Sequence, residues 1–232
     1  VRTYKTCEGC EVGDMINVAV KLSAAGAGDY WEDAERWTRN HFAEIQLTES
    51  KAKHLIRLEK SWKKKPLLHN ETGDRVIERS IGAFGGWTTG NEWWSSGDID
   101  VDTVGSSSNL IMHCCTGNCT RAIYFIWRHI LSYHEGQLRI NMLLNRASPW
   151  ADVYSYIPYE GQVNIKMKKT CTSVLVHAPE WIETASDQIV ATVNGEPRPV
   201  TWEKRYVNLG KVAAGETASI KFPITERTVK EK

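Results

Sequence analysis

Apolar residues recur with two different periods along this chain, and the change between them divides it. Over residues 12–25, Val12, Met15, Ile16, Ala19 and Leu22 fall at helical spacing, and Gly26 and Gly28 supply a stop, so a buried helix is expected. A second helix follows. Asp29 is placed to cap it, Tyr30, Ala34, Trp37, His41 and Ile45 form its stripe, and Glu32/Arg36 and Glu35/Arg39 fall at the spacing that favours opposite charges. Two helices joined by a short glycine loop pack as an antiparallel hairpin. Ala122, Ile123, Ile126, Trp127, Ile130 and Leu131 mark a further amphipathic helix, which begins just after a double cysteine and for which Gly136 is the expected terminator.

From Gln137 onward the period is 2. Leu138, Ile140, Met142 and Leu144 alternate with polar positions, as do Val163, Ile165 and Met167, and then Ala218, Ile220, Phe222 and Ile224. Asn194-Gly195 signals a two-residue hairpin, and Pro197 and Pro199 after it suit an edge strand or a loop return. Short strands without intervening helices imply an antiparallel sandwich. Between Thr48 and Ser108 neither period holds. Residues 82–94, rich in Gly and Trp, read as an active-site loop, and residues 50–73 as a solvated insertion.

Composition narrows the function. Twenty-nine Lys and Arg against 28 Asp and Glu leave a net charge of +1 over 232 residues, which excludes general attraction to nucleic acid or to an anionic membrane. The run Lys63-Lys64-Lys65 stands alone before Pro66, as a solvated loop would. No apolar stretch approaches the roughly 20 residues a membrane span requires. Neither an initiating Met nor a signal pattern opens the chain, so it is expected to be a piece of something longer. Ten Trp accompany eight Tyr and four Phe; most suit a core, and a few can serve as platforms for sugar rings.

Six cysteines stand at positions 7, 10, 114, 115, 119 and 171, five of them in two tight groups. Adjacent cysteines such as Cys114 and Cys115 rarely bond to each other, because disulfide geometry resists a trans dipeptide. At a helix start they form a ready clamp for a metal. Zinc prefers thiolate and imidazole and accepts carboxylate oxygen, so Glu8 and Cys10 with the double cysteine supply four suitable ligands. Nearby backbone N–H groups at the helix ends favour thiolate over thiol. A disulfide framework and inert buried thiols are the alternatives. Cys7-Glu-Gly-Cys10 is also a redox motif, but no thioredoxin-like βαβ pattern surrounds it. Cys7 and Cys119 compete as ligands, Cys171 suits a core, and His113 suits a ligand's hydrogen-bond partner, a ligand or a packed residue.

The text Glu8-Gly-Cys10, then Asp29-Tyr-Trp-Glu-Asp-Ala-Glu-Arg-Trp37, then His113-Cys-Cys-Thr-Gly-Asn118, resembles the β-L-arabinofuranosidase-type glycoside hydrolases of family 127 and their uncharacterised relatives. Leu144-Asn-Arg-Ala-Ser-Pro-Trp150 and Ile157-Pro-Tyr-Glu160 extend the likeness along the chain. The resemblance implies an α+β multidomain fold: residues 1–136 as the last helices of an (α/α)6 catalytic barrel, and residues 137–232 as a β-sandwich domain. It implies zinc on Glu8, Cys10, Cys114 and Cys115, with Cys114 also the nucleophile of a retaining hydrolase acting on L-arabinofuranosyl or related plant-type glycans. An alternative registration on Cys7 would put Lys5 at the carboxylate position, and a protonated lysine cannot ligate. Trp87, Asn91, Trp93, Trp94 and His113 are candidate contacts to an oligosaccharide or polysaccharide. In that family the general acid/base glutamate lies upstream of the Glu-x-Cys pair, so this chain by itself is expected to be inactive. A non-catalytic glycan-binding protein with structural zinc, and a polysaccharide lyase on the same barrel, are the competing functions.

Overall fold

Helices occupy the first half of the chain and strands the second, in the order the two hydrophobic periods set. The computed structural model describes residues 7–59, 66–88, 111–226 and 228. Two units divide at residue 126, and each is a body with its own core.

The first unit opens with β1 (Cys7–Glu8), which leads directly into α1 (Gly9–Ala24). Glu8 is extended, and the Glu11 carboxylate accepts its N–H at 3.2 Å, fixing the helix start. Val12, Ile16, Ala19 and Val20 are buried, whereas Met15 and Leu22 of the expected stripe face outward at 52% and 39% exposure. The buried face runs through Gly9 and Gly13 instead. A count of apolar side chains overlooks a glycine seam of this kind.

α2 (Trp31–Trp37) starts after Tyr30, which stands at the cap position in place of Asp29 and makes no side-chain cap. The Arg39 guanidinium meets Glu35 at 2.8 Å, as the sequence spacing implied, and Arg36 also reaches Asp33. α2 then widens into a π-helical turn, Thr38–Phe42, in which the Ala43 N–H donates to the Thr38 carbonyl at 2.9 Å. Thr38 contributes to the distortion, since its hydroxyl donates to the Ala34 carbonyl at 2.6 Å. The wider turn shifts the stripe, so that Phe42 and Ile45 are buried while Trp37 and His41 lie at the margin.

The reading of residues 50–73 as a solvated insertion is corrected over residues 50–59, while residues 66–73 are exposed as expected. α3 (Glu49–Glu59) lies there, and its Ala52 and Leu55 form a small core with Leu47, against which Ile77 and Ile111 pack. α4 (Val76–Arg79) and β2 (Trp87–Thr88) follow, and α5 (His113–His129) is the last helix. Ala122, Ile126 and Ile130 are buried, but Ile123 and Trp127 are exposed. Gly136 does not end this helix. The chain turns straight into β3 (Leu131–His134), and Glu135 and Gly136, with φ of 46° and 85°, make the tight turn to β4 (Gln137–Ile140).

The second unit is built from two sheets. After β5 (Arg146–Ala147), β6 (Ala151–Ser155), β7 (Gln162–Met167) and β8 (Ser173–His177) come β9 (Val190–Val193), β10 (Glu196–Arg198), β11 (Thr201–Glu203), β12 (Tyr206–Asn208) and β13 (Thr217–Lys221). One sheet has the order β10-β9-β13-β7-β6-β5, the other β11-β12-β8-β4-β3. Leu138, Ile140 and Val176 from one sheet share a core with Val153, Val163, Ile165 and Ile220 from the other, which makes the unit a sandwich. It is antiparallel apart from β4 and β8, which pair in parallel through Leu138 and Val174. Strands β5 to β7 cross to the opposite sheet between them, so β8 returns in the direction of β4. Asn194 and Gly195 form the expected turn, with φ of 52° and 85°, and Pro197 sits in edge strand β10.

Candidate metal centre

Residues 82–88 form a strap that assembles the site. On one side the strap bridges to residues 45–47: the Gly85 N–H donates to the Ile45 carbonyl at 2.7 Å, and the Leu47 N–H to the Ala83 carbonyl at 2.8 Å. On the other side β2 pairs with β1, Cys7 opposite Thr88 and Glu8 opposite Trp87, and the Gly9 N–H donates to the Gly86 carbonyl at 2.7 Å. The Phe84 N–H donates to the Thr116 hydroxyl at 3.2 Å, tying in α5. The strap therefore positions the carboxylate carrier β1 beside the first turn of α5. Only glycine fits at the junction, because a Cβ on Gly9 would stand 2.6 Å from the Gly85 carbonyl oxygen and 3.3 Å from the Cys115 Cβ.

At that junction the carboxylate of Glu8 and the sulfurs of Cys10, Cys114 and Cys115 all lie within 4.8 Å of one another. Cys10 and Cys115 sulfurs are 3.5 Å apart, and Cys114 and Cys115 sulfurs 3.9 Å. Glu8 Oε1 is 3.7 Å from each of the Cys114 and Cys115 sulfurs. Zinc bonds of about 2.3 Å to sulfur and 2.0–2.2 Å to oxygen, at tetrahedral angles, require edges of roughly 3.8 Å and 3.6 Å. Four of the six edges match these lengths to within about 0.3 Å and the other two lie within 4.8 Å, an arrangement that a divalent cation could draw into a tetrahedron.

Exposure differs sharply within the set. Cys115 is fully buried, Glu8 and Cys10 are half-buried, and Cys114 is exposed. Burial, then the hydrogen bonds to Cys115 and Cys114, pushes the Cys10 thiol well above its usual range, and burial pushes Cys115 up to about 11. The helix ends do not make these sulfurs anionic by themselves, because desolvation dominates. A cation binding here would have to displace the protons of Cys10 and Cys115.

The other cysteines stand apart from it. Cys119 is buried and its thiol donates to the Gly9 carbonyl at 3.2 Å, Cys7 is exposed on β1, and Cys171 belongs to the sandwich core. Among the described residues the ligand group contains neither Cys7 nor Cys119. His113 is exposed at the first position of α5. Trp87 lies in β2 opposite Glu8, while Asn91, Trp93 and Trp94 fall outside the described residues. One supporting residue escaped the sequence reading. Asn118 donates to the Cys10 carbonyl at 3.1 Å and is held by Arg121, which also meets Asp14 at 3.0 Å. Its position, one turn beyond Cys114, was the available signal.

No family model and no curated protein matches this chain. Solved structures do resemble it. A family 127 β-L-arabinofuranosidase from Geobacillus stearothermophilus T6 aligns over 93% of the chain at 16% identity, with a TM-score of 0.48. A second family 127 β-arabinofuranosidase aligns over 94% at 11% identity, again at 0.48, and a further glycoside hydrolase over 56% at 16% identity and 0.40. The chain spans about a third of the length of the first two, 32% in each case.

Proposed function

We propose that this chain is part of a retaining glycoside hydrolase in which zinc binds Glu8, Cys10, Cys114 and Cys115, with Cys114 as nucleophile. The convergence of one carboxylate and three sulfurs within 4.8 Å carries this reading. The exposure gradient supports the assignment of roles, because Cys114 is the sulfur open to solvent while Cys115 is enclosed. A bound zinc would keep the sulfurs anionic at neutral pH. Cys114 Sγ then attacks the anomeric carbon, forming a C–S bond as the bond to the leaving oxygen breaks. That oxygen takes a proton from a carboxylic acid, which the family resemblance puts upstream of Glu8. Water subsequently displaces the sulfur and gives its proton to the same carboxylate, so configuration is retained.

In this reading the helices through α5 are the C-terminal part of an (α/α)6 catalytic barrel, and the strands from β3 onward form a β-sandwich domain. The substrate is an L-arabinofuranosyl or related residue of a plant-type glycan, with Trp87, Asn91, Trp93, Trp94 and His113 as candidate contacts. Cys114→Ala in the full-length protein should abolish hydrolysis of an aryl β-L-arabinofuranoside; unchanged turnover would overturn the assignment. A second reading follows from the closure of the ligand set, since four protein ligands are more often a structural than a catalytic site. Saccharide affinity and bound zinc without any turnover in the intact protein would favour that reading.

A further inference from the structure

Among the described residues, few contacts hold the far end of the strap that presents Glu8. A ladder of two residue pairs, Cys7 with Thr88 and Glu8 with Trp87, is too small to hold itself in water. The Gly9–Gly86 hydrogen bond secures one side. On the other, Thr88 is fully buried, and its hydroxyl shares a 2.7 Å hydrogen bond with Nε2 of His41. His41 comes from the π-helical turn, a distortion that is often kept where it aims a side chain. Burial lowers its pKa, so a neutral imidazole faces the hydroxyl. The same turn is locked from below, where Phe42 packs on Phe84 of the strap with ring centroids 5.2 Å apart.

We propose that His41 is a positioning residue for the metal ligand Glu8, acting through Thr88 and the β1–β2 pair. The inference rests on the metal-site reading above and adds to it a residue that touches neither ion nor sugar. Releasing His41 frees the end of β2, lets β1 rotate, and withdraws the carboxylate while leaving the three sulfurs in place. Groups that orient a metal ligand from behind change affinity by about 10- to 100-fold when removed. A tie acting through one hydroxyl and one strand pair belongs at the lower limit.

Chelator competition measures the zinc affinity of the full chain and its variants, and cobalt(II) absorption reports the ligand set. His41→Ala and Thr88→Val should each weaken zinc binding about 10-fold, and the double variant should do no worse than either, because both break one link. His41→Gln, whose amide nitrogen reaches the position of Nε2, should restore affinity; His41→Asn, one bond shorter, should not. A merely structural role would instead lower the stability of the metal-free protein without this Gln/Asn distinction. Should His41→Ala fail to fold, Thr88→Val provides the same reading. Affinities within twofold of wild type for both single variants overturn the inference while leaving the metal site standing. Absence of zinc binding in the wild-type chain overturns both.

Discussion

Gly9 offers a test in which one substitution type should give opposite signs at two positions. Alanine at Gly9 puts a Cβ 2.6 Å from the Gly85 carbonyl oxygen, 3.3 Å from the Cys115 Cβ and 3.4 Å from Ile45 Cδ1. The first obstacle is backbone, so no rotamer change relieves it. Overpacking of this kind costs about 1–3 kcal/mol. If the strap retreats, the 2.7 Å hydrogen bond from Gly9 to Gly86 weakens as well, by about 1 kcal/mol. The gain in helix propensity offsets at most about 1 kcal/mol. The net expectation is destabilisation of about 1–3 kcal/mol, with a weaker metal site because Cys115 is displaced. At Gly117, within α5, no atom of the described residues lies within 4 Å of the added Cβ. The same substitution there should stabilise by about 0.5–1 kcal/mol. Urea unfolding followed by far-UV circular dichroism separates the two. With a slope of about 2 kcal/mol per molar, Gly9→Ala should lower the midpoint by about 0.5–1.5 M, and Gly117→Ala should raise it slightly. A Gly9→Ala protein as stable as wild type, or shifts of equal sign, would refute the close approach that assembles the site.

Two further outcomes concern the buried thiols of the helical unit and a turn of the sandwich. In the metal-free protein, burial pushes Cys119 up to about 12, with the neighbouring Cys10 adding to it, and Cys115 up to about 11, from an ordinary 9.0. The folded chain holds these protons more tightly than the unfolded one, so the thiols' contribution should be constant below pH 9 and stability should fall between pH 9 and 12, by up to about 1.4 kcal/mol per pH unit for each thiol. Chemical denaturation at pH 7, 9 and 10.5 checks this, and a flat profile for Cys119→Ala and wild type alike would contradict it. In the sandwich, Asn194 holds φ of 52° and accepts the Thr217 N–H at 2.9 Å. Asn194→Ala should destabilise by about 1–3 kcal/mol, through loss of the bond and a left-handed alanine, and a shift in thermal midpoint of the sheet signal measures it.

The parts of this fold that were legible in sequence are those specified locally. Asn194-Gly195 can hardly be anything other than a tight hairpin turn, and the alternation at Val163, Ile165 and Met167 admits one buried face. The ligand quartet was legible for a different reason: a double cysteine at a helix start is rare, and its chemistry restricts what it can do. Errors arose where the decisive partner is distant. Gly9 and Gly13 define the buried face of α1 because α5 approaches there, where a Cβ added to Gly13 would stand 3.5 Å from the Ala122 Cβ, and no local pattern reveals that. The π-helical turn moved the buried positions of α2 by inserting a residue. Ile130 and Leu131 continue an apolar run across the boundary between α5 and β3, so periodicity alone carries the helix on toward Gly136. Ala52 and Leu55 are too few to announce α3 until Leu47 is seen beneath them. The strap is the extreme case, since its pairing with residues 7–9 joins segments nearly eighty positions apart.

That distance bears on how the site works. Cys114 and Cys115 are neighbours on one helix, so consecutive side chains leave its axis about 100° apart, at 3.6 residues per turn. Both can reach one ion only if it lies off the end of the helix, between the two directions. Glu8 and Cys10 approach that point from the end of another helix, and the strap pairs with Glu8 to fix the carboxylate's side of it. One sulfur of the pair is consequently enclosed and the other open, with Cys115 fully buried and Cys114 exposed. A cluster made only to hold the protein together gains nothing from an exposed sulfur, which is the member most open to oxidation and competing ligands. A cluster that must present a sulfur to a sugar needs one. Within this chain the asymmetry between adjacent residues, rather than the ligand count, supports the proposal of Cys114 as nucleophile over a purely structural ligand.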